Sequence, residues 1–158
     1  MALDPQASAF LDLGKAANLP DISVQGATVA RGYSHAQPDI SGPLDPSVSI
    51  TFEFFTSSTA DIAVAIYTPP APSQAKRAGL VYFHGGGWVI NYIGRYHAQM
   101  AAMAKKTNSV IVSVNYQKAP EHKFPIPFND CYEGLEWTVA NADRLGIDIN
   151  RVGVGGDS

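Results

Sequence analysis

A chain of 158 residues, 46% hydrophobic and 16% charged, has the length of one domain and enough apolar side chains for a real core. Its net charge of -3 leaves no basic footprint, which argues against nucleic acid or an anionic membrane as partner. No apolar run approaches the ~18–20 residues of a membrane span; the opening MALDPQASAFLDLGK has acids where a secretory signal carries positive charge; and the one cysteine, Cys131, excludes an internal disulfide and fits a reducing compartment, so a cytoplasmic location is expected.

Residues 1–19 predict a short helix with Phe10, Leu11 and Leu13 as apolar contacts, stopped by Pro20. Residues 20–47 combine Pro38, Pro43 and Pro46 with Gly26, Gly32 and Gly42 and show no sustained period, which reads as a loop or a loosely ordered covering segment. Two strands follow, Val48–Thr56 and Asp61–Thr68, and the polar turn Ser57-Ser58-Thr59 between them predicts an antiparallel hairpin. After a Pro-rich bend at 69–73, Ala78–Phe83 is a short apolar strand. A helix over 95–106 comes next, with Met100, Met103 and Ala104 at helical spacing, and then a buried β-branched strand, Ser109–Val114. Phe128–Leu145 reads as a long helix, with Cys131, Leu135, Thr138, Val139 and Ala142 on roughly one face and Gly146 as its stop. Arg151–Val154 is a last short strand. Strand–helix alternation of this kind predicts an α/β domain with a parallel sheet, whose sites lie at the carboxyl ends of strands.

Both glycine clusters of the chain lie at such ends. HGGGW (84–88) follows the strand at 78–83, and Gly155-Gly156-Asp157-Ser158 follows the strand at 151–154. Three successive glycines cost backbone entropy, so either something approaches the bare backbone or the chain bends sharply there. The second cluster looks like the first part of a Gly-x-Ser-x-Gly elbow, which sets a serine on a tight strand-to-helix turn. A serine hydroxyl is a poor nucleophile until a base takes its proton, and the tetrahedral oxyanion it forms needs N–H donors nearby. Glycine N–H groups of HGGG, unshielded by side chains, can supply them.

HGGGW at 84–88, NYQKAPEHKFP at 115–125, DCYEGLEW at 130–137 and GGDS at 155–158, in that order, resemble the hormone-sensitive-lipase-like family of α/β-hydrolase carboxylesterases. The resemblance covers about residues 48–158. It implies the N-terminal half of an α/β-hydrolase fold, a mostly parallel central sheet flanked by helices, with 1–47 as a short N-terminal cap segment and 48–158 as a catalytic domain truncated at the nucleophile. It further implies hydrolysis of short- to medium-chain carboxylic esters through an acyl-enzyme, without metal or organic cofactor. By position, Ser158 resembles the nucleophile and Gly86 and Gly87 the oxyanion donors. Gly85 shapes the turn, and His84 and Asp157 position the motifs. Asp157 is expected to steady the elbow through backbone hydrogen bonds rather than serve as triad acid. Trp88 is read equally as a wall of the acyl pocket or as simple packing.

The family places its acid, its histidine and a third oxyanion donor beyond Ser158. A complementary C-terminal half is therefore the expected partner beside a small-molecule ester, a homodimer is left open, and the 158 residues alone are expected to be inactive. The family commonly has arginine where Gln117 stands, which puts local stability in question. The other histidines, His35, His97 and His122, lack metal-ligand spacing and read as surface or loop residues, and Cys131 reads as core. Two rival functions are a non-enzymatic receptor on the same fold and a nucleotide-binding module. The latter is disfavoured because the run from Gly153 to Ser158 lacks the last glycine of a dinucleotide fingerprint.

Overall fold

The structure, a computed structural model, describes residues 2–18, 21–36, 41–70 and 76–158. The chain forms two compact units, Met1–Gln37 and Pro38–Ser158.

In the first unit, helix α1 (Pro5–Ala16) starts where the Asp4 carboxylate accepts the Gln6 N–H at 2.8 Å, with Pro5 in the first turn. Its end is marked by Asn18 in the left-handed region, φ 46; the expected stop, Pro20, lies outside the described residues. The helix is where the sequence puts it, but Phe10, Leu11 and Leu13 are exposed, and none of its residues is buried. Residues 20–47 are not loop throughout. A 3-10 turn at Ile22–Val24 leads into helix α2 (Ala27–Ala36). Its buried positions, Ala30 and Ser34, are four apart but small and weakly apolar, so no hydrophobic period announces them. Residues 41–47 go with the second unit. There Asp45 caps Ser47 through the Ser47 N–H at 2.9 Å and binds Lys105 at 2.7 Å.

The second unit is built on β1 (Ser49–Thr56), β2 (Asp61–Thr68), β3 (Arg77–Phe83), α3 (His97–Thr107), β4 (Val110–Val114), α4 (Ile126–Ala140) and β5 (Ile147–Gly156). The five-stranded sheet has the order β1-β2-β4-β3-β5. The hairpin forms as expected, with Ser49 opposite Thr68 and Thr56 opposite Asp61. β2 joins β4 antiparallel, whereas β4–β3 and β3–β5 are parallel. Strand alternation sends Ile66, Val81 and Val112 to the face covered by α4, and Ala65, Tyr82 and Ile111 to the face covered by α3. β4, buried at all of its positions, carries apolar side chains to both faces, which is why it reads as a continuous β-branched run.

Two elements differ in length from the sequence reading. α4 ends at Ala140, and residues 141–146 are turns that close with Gly146 at φ 69. Arg144 there reaches back to Glu53 with two bonds of 2.8 Å. The buried stripe of α4 is Asp130, Cys131, Gly134 and Thr138, while Val139 turns outward. Gly134 is required for close packing, since a Cβ there would meet Val114 Cγ2 at 2.9 Å. β5 begins earlier than Arg151, because fully buried Ile147 already pairs with Arg77.

Candidate active site

Parallel pairing of β3 and β5 sets Phe83 opposite Gly156, so HGGG and Asp157-Ser158 emerge side by side at the carboxyl ends of neighbouring strands. Gly156 makes this register possible: a Cβ would stand 2.6 Å from the Phe83 carbonyl oxygen. The three glycines of HGGG have different reasons. Gly85 has no positive φ. Its missing Cβ leaves room for Asp157 Oδ2 at 2.6 Å and Ser158 Cβ at 3.0 Å. The bend itself is made by Gly86 (φ 134), Gly87 (φ 57) and Trp88 (φ 62). Gly86 is also crowded, since a Cβ would collide with the Ile90 carbonyl, whereas the space beside Gly87 is open.

Asp157 closes the junction. Its Oδ1 accepts the Gly85 N–H at 2.6 Å and the Tyr82 hydroxyl at 3.0 Å, and its Oδ2 accepts the Tyr96 hydroxyl at 2.9 Å. Burial, reinforced by these bonds to the carboxylate, pushes the Tyr82 phenol up and the Tyr96 phenol to about 12, so both remain donors. The two tyrosines escaped the sequence reading, because Tyr82 looks like any strand residue and Tyr96 like part of a helical run.

His84 is 2% exposed and stacks on Tyr116 at 4.4 Å and Tyr96 at 5.7 Å between ring centroids. Burial pushes its pKa down to about 4, so the ring is neutral at pH 7. The Gly85 carbonyl, 2.9 Å from Nδ1, assigns the proton to Nδ1 and leaves Nε2 bare. The Tyr116 hydroxyl donates to the His84 carbonyl. Asn91, at φ 69, gives its Nδ2 to the same Gly85 carbonyl at 3.0 Å and to Tyr96 Oη at 3.3 Å. The Gly86 carbonyl accepts the Val89 and Ile90 N–H groups at 3.0 and 2.9 Å. Among the described residues, no hydrogen bond takes up the N–H of Gly86 or Gly87, or the Ser158 hydroxyl.

Trp88 is both packed and lining. Its ring meets Tyr116 edge-on at 5.1 Å and borders an open, apolar cavity of about 440 Å³ shared with Phe83, Leu135, Val154 and Ser158. Cys131 is buried, and burial pushes its thiol up to about 12, the state of a core residue. His97 is neither surface nor loop: it opens α3, half-buried, with Nδ1 2.6 Å from the hydroxyl of fully buried Tyr67. Gln117 serves a buried carboxylate after all. Its N–H donates to Asp130 Oδ2 at 2.9 Å, and its Nε2 to Asp130 Oδ1 at 3.4 Å and Thr59 Oγ1 at 2.6 Å. Among the described residues, no three His, Cys, Asp or Glu side chains converge on a metal position, and no helix is long and apolar enough to cross a membrane.

Residues 80–158 match a family described by the α/β-hydrolase fold. Human arylacetamide deacetylase-like 3 is 38% identical over 72% of this chain and 27% of its own length. Ethyl acetate hydrolase of Pseudomonas putida is 30% identical over 100% of this chain and 52% of its own. An ester hydrolase from the metagenome of Lake Arreo, solved with a derivative of bipyridine phosphonate, superposes with a TM-score of 0.91 at 28% identity, over 99% of this chain and 51% of that one. The chain thus spans between about a quarter and about half the length of the proteins it matches.

Proposed function

The chain belongs to the α/β-hydrolase fold family, among its hormone-sensitive-lipase-like carboxylesterases, and from that premise we propose that it supplies the nucleophile and oxyanion hole of a serine carboxylesterase. Ser158 Oγ attacks the ester carbonyl carbon while its proton passes to a histidine contributed, with its acid partner, by the other half of the domain. The carbonyl oxygen becomes an oxyanion received by the Gly86 and Gly87 N–H groups. Collapse of the tetrahedral species expels the alcohol, which takes the proton from the histidine. Water then repeats the sequence on the acyl-enzyme and releases the acid.

The observation that carries this reading is the β3–β5 register, which brings Ser158 Cβ to 3.0 Å from where a Gly85 Cβ would be. It is supported by the two glycine N–H groups that enter no described bond. Asp157 is not the triad acid, because both of its oxygens are engaged within the HGGG junction. His84 is a brace, its ring locked and neutral. Relatives named for deacetylation and for ethyl acetate hydrolysis support small acyl groups as substrates, with Trp88 as one wall of the site.

The full-length polypeptide should gain one adduct with an organophosphonate and turn over p-nitrophenyl butyrate. Ser158→Ala should abolish both. Labelling that survives the substitution would refute the assignment.

A further inference from the structure

The peptide joining Gly85 to Gly86 is held by two donors, and the peptide before it by a third contact. Its carbonyl, that of Gly85, accepts from His84 Nδ1 at 2.9 Å and from Asn91 Nδ2 at 3.0 Å. The preceding Gly85 N–H is fixed by Asp157 at 2.6 Å. A trans peptide is planar, with its C=O and N–H pointing in opposite directions. Whatever fixes the Gly85 carbonyl therefore fixes the direction of the Gly86 N–H, which is the donor proposed above. Asn91 can do this because it sits at φ 69, a region that asparagine tolerates better than other side chains. Its amide folds back across the bend and also meets Tyr96 Oη at 3.3 Å, whose proton goes to Asp157. Gly85 is thereby gripped on both of its polar groups by one connected network.

We propose that Asn91 is a positioning residue of the oxyanion hole: by donating to the Gly85 carbonyl it holds the 85–86 peptide in the orientation that turns the Gly86 N–H toward the reacting carbonyl. The inference rests on the carboxylesterase reading. It also explains why a pair of donors, His84 and Asn91, converges on one carbonyl. Either alone satisfies hydrogen bonding there, but two from different directions restrict rotation of the peptide plane. With the Asn91 amide gone, the Gly85 carbonyl keeps only the bond from His84, and a glycine-flanked peptide gains freedom to rock about that single contact.

The test uses the full-length polypeptide and Asn91→Gly, which keeps the positive φ and removes only the amide. kcat on p-nitrophenyl butyrate should fall roughly tenfold, less than the 10²–10³ lost when a donor is removed outright, with KM little changed. Affinity for a trifluoromethyl ketone, whose adduct with serine puts an oxyanion in the hole, should fall by the same factor. Asn91→Asp should fall further, because it keeps size and backbone preference but turns a lone pair toward the Gly85 carbonyl. A role in stability alone would instead lower the unfolding midpoint and leave kcat and ketone affinity of the folded protein intact. Unchanged kcat and ketone affinity in Asn91→Gly, or an Asn91→Asp variant as active as the parent, would overturn the inference. If Ser158 of the parent takes no phosphonate, the carboxylesterase reading falls and this inference falls with it.

Discussion

Substituting alanine at Gly85 and at Gly87 separates two reasons for glycine that the sequence shows as one repeated letter. At Gly87 an added Cβ meets nothing within 4 Å, so the penalty is the left-handed backbone at φ 57 alone, about 1–2 kcal/mol. At Gly85 the backbone tolerates any residue, but the Cβ would stand 2.6 Å from Asp157 Oδ2 and 3.0 Å from both Asp157 Cγ and Ser158 Cβ. Relieving that overlap costs about 1–3 kcal/mol. The carboxylate must also give up its 2.6 Å bond from the Gly85 N–H, about 1.5–3 kcal/mol for a hydrogen bond to a charged group. Gly85→Ala should therefore destabilise by about 2.5–6 kcal/mol, beyond Gly87→Ala. Equilibrium urea unfolding of the two variants, compared at equal m-value, measures the difference. Displacing Ser158 should also slow phosphonylation of Gly85→Ala by about 10² or more. Equal destabilisation of the two variants would refute the assignment of Gly85 to close approach.

Two further outcomes concern buried titratable groups. His84 holds a pKa of about 4 in the fold against 6.5 outside it, so the unfolded chain takes up the proton first as pH falls. Its contribution is complete above pH 6.5 and is lost between there and about 4, on the order of 3 kcal/mol across that window. NMR of the imidazole should show no protonation near pH 6.5, and His84→Gln should flatten the dependence of stability on pH over this range; a ring that titrates normally would contradict the buried brace. Cys131, with its thiol pushed up to about 12 by burial, should resist iodoacetamide in the folded protein at pH 7.5 and be alkylated in urea. Stoichiometric alkylation of the folded protein would place it outside the core.

Much of the fold was legible because its signals are local. The hairpin announces itself by two β-rich runs around Ser57-Ser58-Thr59, β4 by an unbroken β-branched stretch, and the two glycine clusters by lying where strands end. α2 and the true ends of α4 and β5 were not legible. α2 buries Ala30 and Ser34, residues too small to mark a period. β5 begins with Ile147 among Asp148 and Asn150, whose polarity hides a strand at the edge of the sheet. Residues 141–146 still carry Ala142, Arg144 and Leu145 among weaker helix formers, yet leave the helix as Arg144 engages Glu53 on β1.

For the site, sequence alone determined which residue types are present at which strand ends: a histidine and three glycines after β3, an aspartate and a serine after β5. Chemistry restricts what such short motifs do, and together with the family resemblance it let a nucleophile and N–H donors be proposed before any geometry. Only the tertiary structure decided that Asp157 is shared by Gly85, Tyr82 and Tyr96, that His84 faces the Gly85 carbonyl with its ring neutral, and that Asn91 meets it there. Those partners lie up to 75 positions apart and are joined by a strand register. A register is set by the packing of a whole sheet on its helices, and no stretch of residues encodes it by itself.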